Sequence, residues 1–124
     1  MKKYTRLDVR FFRSATGNEP VREWLRGLEK EDKQSIGDDI KTVQFGWPLG
    51  MPLVDSLGSN LWEVRTKLNR GRIARVIFYL TNNTMVLVNG FIKKTTKTPK
   101  NELDLAKKRM SLFEKNDDEV KRGK

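Results

Sequence analysis

Apolar and polar residues alternate early in the chain, with Leu7, Val9 and Phe11 separated by Asp8 and Arg10, the period-two signature of a short strand. The period then lengthens. Val21, Trp24, Leu25 and Leu28 fall at i, i+3, i+4 and i+7 behind Asn18 as N-cap and Pro20 in the first turn, which predicts a helix from about Glu19 to Leu28. Past the charged run Glu29 to Lys33, Ile36, Ile40 and Val43 form a second helical stripe that Gly46 is placed to end. The stretch Gly46 to Ser59 holds Pro48, Gly50, Pro52 and Gly58, so a loop or flap is expected there.

Alternation returns at Leu61. In LWEVRTKL, Trp62, Val64 and Leu68 share one face and Glu63, Arg65 and Lys67 the other, predicting one buried and one charged face. Asn69-Arg70-Gly71 supplies a turn, and RIARVIFYL follows, nearly continuous in apolar residues as a central strand should be. Thr81 to Thr84 closes a second hairpin into MVLVNGFIKK. Thr98-Pro99 then reads as N-cap and first helical residue of a helix whose stripe is Leu103, Ala106, Met110 and Phe113. The order β-α-α-β-β-β-α predicts an α+β fold, with a mostly antiparallel four-stranded sheet, helices packed on one face and the other face free to bind. One domain is expected over residues 1–115, with 116–124 as a flexible tail because NDDEVKRGK has one apolar residue.

Charge narrows the partners. Twenty-six Lys and Arg against sixteen Asp and Glu give +10, which favours a polyanion without choosing which. No apolar run is long enough to span a bilayer, and the start MKKYTRLDV lacks the apolar core of a signal peptide, so a cytoplasmic protein with no membrane partner is expected. The chain has no Cys and no His. Disulfides, thiolate sites, the Ser-His-Asp triad and HExxH are thereby excluded, and phosphodiester chemistry would fall to Lys, Arg, Tyr or carboxylates. The acidic residues lie mainly in helix-surface segments such as Glu29 to Asp32 and Asp38-Asp39, so neither a metal nor another cofactor is expected.

The candidate chemistry gathers in NGFIKKTTKTP, Asn89 to Pro99, where Lys93, Lys94 and Lys97 follow Phe91. Ammonium groups beside an aromatic ring are the two elements that grip single-stranded RNA. Taken alone, a lysine at a strand end protects an edge and a Phe in an apolar strand belongs to the core. Arg65 lies on the charged face of its strand, where its planar fork suits two phosphate oxygens. Arg72 and Arg75 differ by an odd number, so only one of them shares that face.

These residues, in this order, resemble a known family. LWEVR at Leu61 to Arg65, GRIARVIFYL at Gly71 to Leu80, VLVNGFIKKTTKTPKNELDLAKKRM at Val86 to Met110 and NEPVREWL at Asn18 to Leu25 are similar to the RelE/HigB-type toxins of bacterial type II toxin-antitoxin systems, in particular the phage-derived Gp49-like branch. The resemblance implies a ribosome-dependent mRNA endonuclease that works without metal by 2′-hydroxyl attack, with mRNA on the ribosome and a helix-turn-helix antitoxin as partners. It further implies catalytic roles for Arg65, Arg75, Lys93 and Lys94 and RNA binding by Arg72, Phe91, Lys97 and Lys100. Arg65 would stabilise the transition state, while one lysine of the cluster, Lys93 by its phase with Phe91, would move the proton. The alternatives are a ParE-like toxin that inhibits DNA gyrase without cutting RNA, and a basic RNA-binding module without activity.

Overall fold

The computed structural model describes residues 6–122, with side chains described to residue 116. The elements are β1 (Asp8–Phe11), α1 (Pro20–Arg26), α2 (Lys30–Gly46), β2 (Val54–Gly58), β3 (Leu61–Lys67), β4 (Ile73–Thr81), β5 (Thr84–Lys93) and α3 (Lys100–Arg122). The α+β class holds, with one strand more than expected. The sheet is five-stranded in the order β1-β5-β4-β3-β2, antiparallel except for the parallel β1–β5 pair. The extra strand, β2, lies where Pro and Gly predicted a loop. It buries only Val54, so it has no apolar periodicity to read, and it exists because β3 offers it an edge, pairing Val54 with Val64 and Asp55 with Glu63.

The expectation of helices on one face is corrected. Val64, Ala74, Val76, Phe78, Met85 and Leu87 pack with Ile36, Ile40 and Val43 of α2 and with Trp24 of α1. Their strand neighbours Leu61, Ile77, Tyr79, Val86 and Val88 point the opposite way and pack with Leu103, Ala106, Met110 and Phe113 of α3. The apolar run of β4 requires this, because a central strand with no polar face must be covered twice. Two polar anchors fasten α3: buried Asn89 donates Nδ2 to the Glu102 carbonyl at 2.9 Å, and Arg109 donates Nη1 to the Val88 carbonyl at 2.8 Å. The end of that face beside β2 and β3 is open, with a cavity lined by Leu57, Glu63, Arg65 and Leu103.

Helix ends also differ from the pattern. Glu19, not Asn18, is the N-cap of α1, since Asn18 is held in the preceding turn, its backbone N–H donating to Ser14 Oγ at 3.1 Å. α3 begins one residue after Pro99, and its helical backbone runs to Arg122. The expected tail is thus helical in its described part, as residues without Gly or Pro before Gly123 allow; residues 123 and 124 lie outside the described residues. Among the described residues no helix is long and apolar enough to cross a membrane.

Two contacts tie α1 and α2 to the sheet. A Cβ on Gly90 would stand 2.4 Å from Trp24 Cζ3, so the indole lies directly on the β5 backbone and only glycine fits. Arg72 closes the other contact, donating Nη1 and Nη2 to the Asp32 carboxylate at 2.8 and 3.0 Å. The Arg72 hydrogen bonds hold the Asp32 carboxyl below the usual carboxylate range, with partial burial opposing and the Arg72 charge adding to the effect.

Both contacts are testable. Gly90→Ala should lower stability by about 1–3 kcal/mol in urea unfolding, because a rigid ring cannot yield as a flexible chain would. For Asp32, a folded pKa below the unfolded value near ~3.9 means that the pair stabilises fully above about pH 4 and is lost as pH falls through the lower folded value. Asp32→Asn should therefore lower the unfolding midpoint at neutral pH and flatten its fall below about pH 4. A parallel fall in wild type and variant would refute this.

Candidate functional site

Strand register brings the predicted cations together. Arg65 of β3 pairs with Arg75 of β4, and Arg75 with Phe91 of β5, so the three form one row across the sheet on the α3 face. The next row toward the sheet end is Lys67, Ile73 and Lys93. On the other side of the arginines, Glu63 pairs with Ile77 and Ile77 with Asn89. Like charges placed directly opposite repel, and the surroundings show how this pair is compensated.

Glu63 is the counter-ion. It is 1 % exposed, accepts from Arg65 Nη1 at 2.8 Å through one oxygen and from the Thr98 hydroxyl at 2.5 Å through the other. The remaining compensation comes from the 94–99 loop, which folds over the row. Arg65 Nη2 donates to the Thr96 carbonyl at 2.9 Å, and Arg75 Nη2 donates to the Thr95 carbonyl. Thr98 thus serves Glu63 and not the helix cap that its position before Pro99 suggested.

Arg75 is the extreme member, fully buried. Its guanidinium carbon lies 5.8 Å from the centre of the Phe91 ring, and its Nε and Nη1 meet no acceptor among the described residues. Burial pushes the guanidinium below its ordinary value, Arg65 pushes it the same way, and Glu63 opposes. Two guanidinium groups share one carboxylate here, leaving an excess of positive charge at low dielectric, the setting in which an anion is bound most strongly.

The other predicted residues divide by face. Lys93 and Lys97 are exposed beside the row, Lys93 by register with Ile73 and Lys97 in the loop, where its carbonyl accepts from the Thr95 hydroxyl at 3.2 Å. Arg72 and Lys94 do not join them. Both line a cavity on the α1–α2 side, with Asp32 and Asn69, and Arg72 is spent on Asp32. The odd spacing from Arg72 to Arg75 is the reason, and the structure selects Arg75 for the shared face. Phe91 is buried in the α3-side cluster, so it supports the Arg75 guanidinium from beneath and presents no face to a base. Lys100 is exposed at the start of α3, its Nζ 3.8 Å from Asp104.

Residue spacing does not show the buried state of Glu63 or the role of the loop carbonyls. Glu63 was legible as a neighbour of Arg65 at period two, but its burial depends on α3 and the loop. Arg65 itself stands between two cavities. One, about 380 Å³, includes Leu57, Glu63, Lys97 and Leu103; the other, about 750 Å³, includes Asp39, Met51, Leu53 and Ile73; Asp55, Arg65 and Thr96 line both. Among the described residues no group of three or more His, Cys, Asp or Glu is placed to hold a metal ion.

The α+β architecture, with a mostly antiparallel sheet, matches what the family resemblance implied for the fold. Residues 23–111 match the family described as phage derived protein Gp49-like (DUF891), and these include β2 to β5, the loop and the first half of α3. No curated protein matches the chain. With well over half of its length in that match, the chain belongs to the Gp49-like family, a RelE/HigB-like branch of toxins that act within toxin-antitoxin systems and are partnered by an antitoxin.

Proposed function

We propose that this toxin is an mRNA endonuclease, acting on ribosome-bound mRNA by attack of a ribose 2′-hydroxyl on the adjacent phosphate. The observation that carries the reading is the shared row of Arg65 and Arg75, two guanidinium groups with a single carboxylate, Glu63, in the neighbouring row and with two Arg75 nitrogens that meet no acceptor among the described residues. In-line attack builds negative charge on the non-bridging phosphate oxygens, and preorganised donors at low dielectric stabilise that charge where solvated cations would not.

In this reading the Thr95 and Thr96 carbonyls occupy guanidinium positions that a phosphate takes in the complex, so the 94–99 loop shifts as RNA enters. Arg65, the more exposed of the pair, takes the scissile phosphate. Arg75 adds charge from below and Phe91 holds it in place. Lys93, on the same face and in contact with solvent, is the proton-transfer group, and Lys97 holds flanking backbone phosphate. Arg72 and Lys94, on the opposite face, have no part in the chemistry. A helix-turn-helix antitoxin neutralises the toxin by covering the cationic end of the sheet with acidic side chains.

Induction in cells followed by mapping of mRNA 5′ ends tests this. Wild type should generate new 5′ ends within coding sequences. Arg65→Ala should reduce cleavage by ~10²–10³-fold, the cost of losing one preorganised oxyanion donor, and Lys93→Ala by ~10²–10⁴-fold, the range of general acid–base catalysis. Intact transcripts together with defects in DNA supercoiling would replace the nuclease with a gyrase inhibitor. Undiminished cleavage in both variants would refute the assignment of these two residues.

A further inference from the structure

We infer that the larger cavity beside Arg65 is a guanine-binding pocket and that Asp39 is the residue that reads the base. The inference rests on the RNA-cleaving reading and adds a specificity element to it. A nucleotide whose phosphate sits on Arg65 has two cavities beside it that can take its base. The larger one has walls suited to a flat ring. Met51, Pro52, Leu53 and Ile73 line it, and Met51 is 65 % exposed, an unbranched thioether outside the core with the freedom to settle on an aromatic face.

Its polar groups carry the selectivity. Besides Arg65 and Lys67 at the phosphate end and Thr96 in the loop, the cavity presents Asp39 and Asp55. Both are half-buried, and neither carboxylate has a hydrogen bond or ion pair among the described residues. An ionised carboxylate only accepts. Guanine alone sets two adjacent donors, N1–H and the N2 amino group, on its Watson–Crick edge, and a carboxylate takes both at once. Adenine and cytosine place a ring-nitrogen acceptor beside their amino group, and uracil flanks its single N–H with carbonyls, so each turns a lone pair toward the carboxylate.

Position separates the two carboxylates. Asp55 lines both cavities alongside Arg65, at the partition, whereas Asp39 lines the larger cavity alone. A base points its Watson–Crick edge away from its own sugar and phosphate. With the phosphate on Arg65, that edge reaches Asp39, on α2 just before buried Ile40, while Asp55 stays near the sugar.

The test uses the full chain and four uridine nonamers, three with a central G, A or C and one all-U, titrated by fluorescence anisotropy at one fixed salt concentration. The G-containing nonamer should bind roughly tenfold tighter or more than the others, the discrimination of one bidentate base contact. Asp39→Asn replaces two acceptors by one acceptor and one donor, which no longer matches guanine's paired donors and matches the donor–acceptor edges of adenine and cytosine alike, so the preference for G over A and C should be lost. Met51→Ala should weaken the G complex by removing the wall on which the ring rests. Salt-sensitive, Arg65-dependent binding that is equal for all four RNAs, or a G preference unchanged in Asp39→Asn, would overturn the pocket and leave the nuclease reading standing. Failure of the wild type to bind any of the four would also overturn the pocket, whereas the nuclease reading, which concerns ribosome-bound mRNA, falls only if the mapping of 5′ ends shows no cleavage.

Discussion

A guanidinium group buried at the middle of a sheet is the constraint around which this molecule is arranged. Arg75 interrupts the apolar run of β4, and an unpaired charge in that position would be strongly destabilising. Every neighbour answers to it. Phe91 lies under the cation, the loop beyond β5 turns its Thr95 carbonyl inward, and Glu63 on β3 provides the negative charge while binding Arg65 as well. The loop that closes the site is therefore held down by the site, and the same contacts join β3, β4 and the approach to α3 into one unit.

The arrangement is balanced incompletely, which is where stability and function meet. One carboxylate serves two guanidinium groups, and two Arg75 nitrogens meet no acceptor among the described residues. A fold selected for stability alone would replace such a cluster by apolar side chains, since buried ion pairs seldom outperform good packing. Here the cluster lies beside two cavities on the α3 side of the sheet, so the residual positive charge faces a part of the surface that a polyanion can approach. Arg72, three residues earlier and fully matched by Asp32, illustrates the contrast: its charge is consumed in fastening α2 to β4.

Much of this was legible in the chain. Period two identified the cation-bearing face of β3, the i, i+3, i+4 stripes identified three helices, and the odd spacing of Arg72 and Arg75 showed that one must leave the site. The edge strand β2 was not legible, because five residues with one buried side chain carry no period and take their shape from β3. Nor was the role of Phe91: a ring in an apolar strand is either platform or core, and α3 made it core. Thr98 matched an N-cap pattern, yet its hydroxyl found a stronger acceptor in Glu63.

The sequence by itself determined the local periods, the +10 charge, the absence of His and Cys chemistry and the family resemblance, since each depends on residue type and spacing alone. Only the tertiary structure decided that α3 covers the face opposite α1 and α2, that Arg75 and not Arg72 joins Arg65, and that loop carbonyls and Glu63 hold those cations. The physical reason is that alternation sorts residues to the two sides of their own strand, whereas burial, pairing and charge compensation depend on what packs against each side, and those partners arrive from segments 20 to 40 residues away.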